Sequence, residues 1–184
     1  MNQETEIYKL PNEERDEAYQ TLPNKKRIVQ RIENHLKAFK AIAKDVQFIV
    51  DEARKKEIVI CGGVGEDDPK IDQYGIWLNG DGSQDLNHET FSLEMFDTGR
   101  FNTVEKLKNS EIFGFCKTAH KPYDLVVCAS LIAIKNHLKS DFEISSDGSL
   151  QYGEWDEAIE FYKELFPKRE IPKPLMKYLT KEEA

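Results

Sequence analysis

Cys116, Lys117, Thr118, His120, Lys121, Tyr123 and Asp124 fall within nine consecutive residues. Together they offer a thiol, two ammonium groups, two hydroxyls, an imidazole and a carboxylate. An apolar run, LVVCASLIAI at 125–134, follows directly, and Pro122 is well placed to open a helix there. The first N–H groups of a helix lack intrahelical partners and its dipole favours negative charge. With Lys117 and Lys121 flanking that start, the spacing predicts an anion site built from Lys117, Thr118, His120, Lys121 and Tyr123, suited to a phosphate or carboxylate. The plainer account of the same residues is a capped helix start in a solvated loop. A Cys116–His120 nucleophile pair is a third reading, but spacing alone does not orient a thiolate and its base. No residue is therefore assigned a catalytic role.

Other chemistry-bearing strings fail their tests. Gly62-Gly63-Val64-Gly65 lacks the third glycine of a dinucleotide fingerprint and the G-K-[ST] of a P-loop. Glu66-Asp67-Asp68 follows it, where a phosphate would need the opposite charge, so turn geometry is expected. Asn79-Gly80-Asp81-Gly82 is similar to a calcium loop, yet aligning Gly82 with the sixth position puts Trp77 first and His88 twelfth. A glycine-rich hairpin turn explains it better. His35, His88, His120 and His137 show no paired spacing, and Cys61, Cys116 and Cys128 no CxxC. No metal and no cofactor is expected.

The elements around these strings are legible from periodicity. Ile28, Ile32, His35, Phe39, Ile42, Val46, Ile49 and Ala53 alternate spacings of four and three, and no Gly or Pro interrupts 24–55. This is an amphipathic helix with a broad apolar face. At ~1.5 Å per residue it would run about 48 Å, longer than the ~40 Å breadth of a compact domain of this size. That surplus predicts a bend, a break or a partner, and a homodimer through residues 28–53 is one such partner. Strands are predicted at 57–61, 72–79, 89–96, 112–117 and 142–145, with short helices at 13–21 and 103–108. A buried central helix is expected from Pro122 to about Lys139, a covering helix over 154–166, and a closing turn near 175–179. The fold class is α+β: a long N-terminal helix, an antiparallel sheet of three to five strands, a buried helix and a C-terminal covering helix. The organisation read from composition is a polar arm at 1–23, one domain at 24–168 and a tail at 169–184.

Composition narrows the partners. The net charge is −8, which argues against nucleic acid, whose affinity comes from neutralised phosphates. Charge is uneven: residues 24–56 hold ten Lys or Arg against four Asp or Glu. No apolar run reaches the ~18–20 residues needed to cross a bilayer, and the N-terminal residues lack the basic start and apolar stretch of a secretory signal. A cytoplasmic protein with a protein partner, no membrane and no nucleic acid is expected.

The strings FGFCKTAHKPYDLVVCASLI (113–132), FEISSDG (142–148) and EWDEA (154–158) resemble segments of small phage- and prophage-encoded proteins. The resemblance covers roughly residues 89–166 and omits the long helix. It implies a viral or mobile-element setting and assigns no activity to any residue. The leading expectation is a non-enzymatic binding or interaction protein. The rivals are a phosphorylated-ligand binder or hydrolase using the 116–124 loop, and a virion or assembly component oligomerising through the long helix.

Overall fold

The computed structural model describes residues 25–95, 114–146, 153–173 and 175, with side chains in the first helix from residue 33 onward. Helix α1 spans Lys25–Lys55. The chain divides into two compact units, Met1–Lys37 and Ala38–Ala184. The first contains the opening turns of α1. The second contains the rest of α1, the antiparallel strands β1 (Lys70–Asp72), β2 (Gly75–Leu78) and β3 (Phe91–Glu94), and helices α2 (Asp124–Leu138) and α3 (Asp156–Leu165). The class is α+β, as the periodicities predicted.

Within the second unit, α1 buries Phe39, Ile42, Val46, Ile49, Val50 and Ala53. These are the three-and-four-spaced positions of the stripe, so the stripe faces this unit's own core. The helix ends in a Schellman turn. The Ile58 N–H donates to the Ala53 carbonyl (3.1 Å) and the Glu57 N–H to that of Arg54 (3.0 Å). Glu57 takes the left-handed position at φ 64°, where glycine is the usual occupant.

That turn overturns the strand expected at 57–61. The helix cap consumes the first two of those residues and the Gly62 turn begins just beyond them. Only Cys61 pairs, as an isolated bridge with Asn79. The strand expected at 72–79 is present over Gly75–Leu78 as β2, but its expected start is a hairpin corner. Asp72 Oδ1 accepts from the N–H groups of Tyr74 (2.7 Å) and Gly75 (3.1 Å), folding the chain so that Asp72 faces Gly75 and Ile71 faces Ile76. β2 then pairs with β3, Ile76 against Leu93 and Leu78 against Phe91. Phe91 is buried while Ser92 and Glu94 are exposed, which is the alternation of a sheet with one wet face.

Residues 114–117 and 142–146 carry no strand. The first stretch is tied to Glu89 partly by that residue's side chain, and Phe142 closes a turn back to Lys139. The sheet thus has three strands among the described residues. The expected elements at 13–21 and 103–108 lie outside those residues, as does all but Leu175 of the closing turn.

Helix α2 buries Leu125 through Ser130 and Ile132 through Ile134, so it is the central helix. Leu131 is half-buried. Helix α3 covers the core with Ala158, Phe161 and Tyr162 on its inner face, next to buried Trp155. Among the described residues, no helix is long and apolar enough to cross a membrane.

Candidate functional site

The loop leading into α2 is held by hydrogen bonds at almost every polar group. Ala119 (φ 51°) and His120 (φ 53°) take successive left-handed conformations, which turn the chain back so that the Lys121 N–H reaches the Thr118 carbonyl (3.1 Å). The Thr118 hydroxyl donates to Asp124 Oδ1 (2.5 Å), in the first turn of α2. That carboxylate lies where the helix dipole favours negative charge. Lys121 donates through Nζ to the Asp85 carbonyl and lies 3.4 Å from its carboxylate. Tyr123, fully buried, donates its hydroxyl to the Glu89 carbonyl (2.8 Å), and the Cys116 thiol donates to the same oxygen (3.3 Å). The Lys117 carbonyl meets His88 Nδ1 (2.7 Å), and the Lys117 N–H donates to Glu89 Oε2 (2.7 Å). The five residues expected to form an anion site are thus in one loop. Thr118, Lys121 and Tyr123 are engaged inside the protein, while Lys117 and His120 present exposed side chains.

Burial sets the acid–base character of this end of α2. It pushes the Cys116 thiol up to about 11. The Tyr123 hydroxyl is raised further above its ordinary value, by burial first and by the neighbouring thiol second. Cys128 is raised by burial and then by Asp124. Thiols in this state are protonated near neutrality and poor nucleophiles.

A second cluster, which no local string announces, lies at the other end of α2. Asp45 from α1 accepts at Oδ2 from His137 Nε2 (2.5 Å) and from Arg169 Nη1, and at Oδ1 from Arg169 Nη2 (3.1 Å). Asp45 is 9% exposed. Burial by itself would raise its pKa, but the bonds from His137 and Arg169 outweigh that and hold the carboxyl below its ordinary value. A carboxylate bonded to an imidazole is half of a nucleophile–base–orienter arrangement. Here the guanidinium takes both carboxylate oxygens, and among the described residues no hydroxyl or thiol is bonded to His137. The cluster's chemistry is charge neutralisation. One signal in the sequence does point to it: Asp45 sits three residues after Ile42 and four before Ile49, a carboxylate on an otherwise apolar face.

The remaining strings are turns. Gly65 (φ 84°) closes the glycine loop with its N–H on the Gly62 carbonyl (2.8 Å). Asp81 caps a short 3₁₀ turn, accepting from the Ser83 N–H (2.8 Å), the Ser83 hydroxyl (2.6 Å) and the Gln84 amide (2.6 Å). Those bonds hold its carboxyl below the ordinary range. Buried Asn79 ties the loops together. Its amide donates to the Gly63 and His88 carbonyls (3.1 Å each), and its oxygen accepts from Gly80 and His88. Among the described residues, no three His, Cys, Asp or Glu side chains are grouped to hold a metal ion.

No family model, no curated protein and no solved structure matches this chain.

Proposed function

We propose that this is a non-enzymatic binding protein that engages a protein partner through the outer side of α1. The observation supporting this reading is that Phe48, 40% exposed, stands on the side of α1 turned away from the core. With Ala43, Lys44, Gln47, Asp51 and Ile71 of β1, it lines a shallow, open depression. A partly exposed aromatic flanked by a cation and a carboxylate is the composition of an interface rather than of a substrate cavity. The inward bonding of Cys116, Tyr123, Asp45 and His137 points the same way, since none of these groups is poised toward a reacting atom. Six residues of the α1 stripe are buried in the protein's own core. On this reading a partner that docks on α1, including a second copy in a homodimer or an assembly, meets the Phe48 side. Three free thiols fit a reducing cytoplasm, and the resemblance to phage proteins supports a partner of host or viral origin.

The reading of 116–124 as a site for a phosphorylated ligand competes with this one. Asp124 occupies the helix start and Lys121 is already paired with Asp85, which weigh against it.

Native mass spectrometry of the protein recovered from host lysate tests the proposal, run on wild type and Phe48→Glu. A stoichiometric polypeptide bound to wild type and lost in the variant is the expected result. A small-molecule adduct that survives the substitution would overturn it.

A further inference from the structure

The segment after α3 is held differently from everything before it. Residues 166–173 form no helix or strand. Pro167 and Pro172 remove two backbone donors from this stretch, so it is ill-suited to a ladder. Among the described residues its backbone makes two backbone hydrogen bonds: the Phe166 N–H donates to the Tyr162 carbonyl (2.9 Å), closing α3, and the Arg169 N–H donates to the Phe166 carbonyl (2.9 Å), within the segment itself.

Beyond that cap, its polar ties to the helices among the described residues run through Arg169 and Glu170. Arg169 places both guanidinium nitrogens on the Asp45 carboxylate, and the Asn136 amide donates to the Glu170 carbonyl (3.1 Å). The guanidinium also stands 4.3 Å over the Phe166 ring. That ring meets Phe48 edge-on at 5.7 Å and lies 4.9 Å from Tyr162. Ile171 and Leu175 pack on the apolar core.

We propose that residues 167–173 with Leu175 form a strap that opens as a unit when the Arg169–Asp45 latch is broken, leaving the helices and sheet folded. The physical reason lies in how the bonds are distributed. Helices α1 and α2 are held by interior ladders and a shared apolar core, and are joined to each other by the Asp45–His137 bond, which does not involve the strap. The strap has no ladder, and its fork-shaped, charge-assisted contact with Asp45 is its strongest anchor. Local openings of this kind come from segments with few apolar contacts and few backbone bonds. Opening would bare Phe166 and Tyr162 beside Phe48, enlarging the apolar surface on that side of the molecule. The inference holds whatever the protein binds.

Methyl NMR of the full chain, labelled at Ile and Leu, tests it directly. In Arg169→Gln the Ile171 and Leu175 methyls are expected to move to coil positions while those of Ile42, Ile132 and Ile134 stay in place. Trypsin cleavage after Lys168 should accelerate at least tenfold over wild type. An Ile171 methyl that keeps its wild-type position would overturn the latch. Joint displacement of Ile171 with Ile132 and Ile134 would overturn the strap as a separable unit. Arg169→Lys keeps the charge and gives up the two-pronged fork. It provides the same readout if the glutamine variant fails to fold, with a smaller rise in cleavage expected and an unchanged rate counting against the latch.

Discussion

The two ends of α2 settle the same electrostatic problem by different means. At the N-terminal end, Asp124 sits in the first turn and takes the Thr118 hydroxyl, while Tyr123 and Cys116 both donate to one carbonyl at Glu89. Each of these bonded pairs is at most 34 residues apart in the chain. At the C-terminal end, His137 in the last turn meets Asp45, which is 92 residues away, and Asp45 in turn holds Arg169, which is 124 residues away. Asp124 in the first turn and Lys135 in the last both suit the helix dipole. Apart from the Asp124 carboxylate, the first end is made of neutral groups and backbone oxygens, and it is local. The second is an ion cluster drawn from three parts of the fold. A neutral network fails by leaving one polar group unsatisfied, whereas a buried ion cluster fails by leaving a charge unpaired, which costs more.

This difference ranks the expected effects of substitution. The helix between the two ends sets the scale: Ile132→Ala, at a fully buried position, is expected to cost about 2–5 kcal/mol in urea melts. Asp45→Asn should follow. Breaking a fully buried pair costs roughly 3–5 kcal/mol, but the Arg169 side chain is 37% exposed and can turn to water, so about 2–3 kcal/mol is expected. A loss as small as that of a surface pair would erase the contrast between the two ends.

The same carboxylate should leave a mark in acid. Its folded pKa is lowered, so its contribution is fully present above its unfolded value near ~4 and is lost as pH falls through the folded value. Urea melts at neutral pH and in acid below that range should therefore show wild type losing more stability than Asp45→Asn. Equal losses would remove Asp45 as the group responsible.

Effects at the other end are smaller. Tyr123→Phe removes one neutral hydrogen bond and leaves Cys116 on the Glu89 carbonyl, for about 1 kcal/mol. Lys121→Ala breaks a pair whose acidic member is 97% exposed, and a change of about 0.2–1 kcal/mol is expected. A thermal-shift series with inorganic phosphate on the same variant sharpens the comparison. Stabilisation of wild type that vanishes in Lys117→Ala/Lys121→Ala would make the N-terminal end a ligand site. Its absence is the outcome that fits the internal bonding seen there.

Much of the architecture is written in local patterns. The stripe through Phe39, Ile42, Val46, Ile49 and Ala53 determines a helix with one apolar face, because a 3.6-residue period leaves no other conformation that buries those positions together. The all-round apolar character of 125–134 determines that this helix lies at the centre, and the alternation at 91–95 determines which face of β3 is wet. Backbone geometry at single residues was not legible. Glu57 in a left-handed cap replaced the strand expected at 57–61, and the Asp72 side chain cut the start from the one expected at 72–79, since a β-rich composition does not reveal where the backbone will turn or a side chain will capture a neighbouring N–H. The loop at 116–124 was visible as a string of reactive groups. That those groups bond to Asp85, Glu89 and Asp124 depended on a hairpin and a helix start being brought together. The pairing of Asp45 with His137 and Arg169 was decided by tertiary structure alone. Groups so distant in sequence meet only after three parts of the fold have packed around one buried carboxylate.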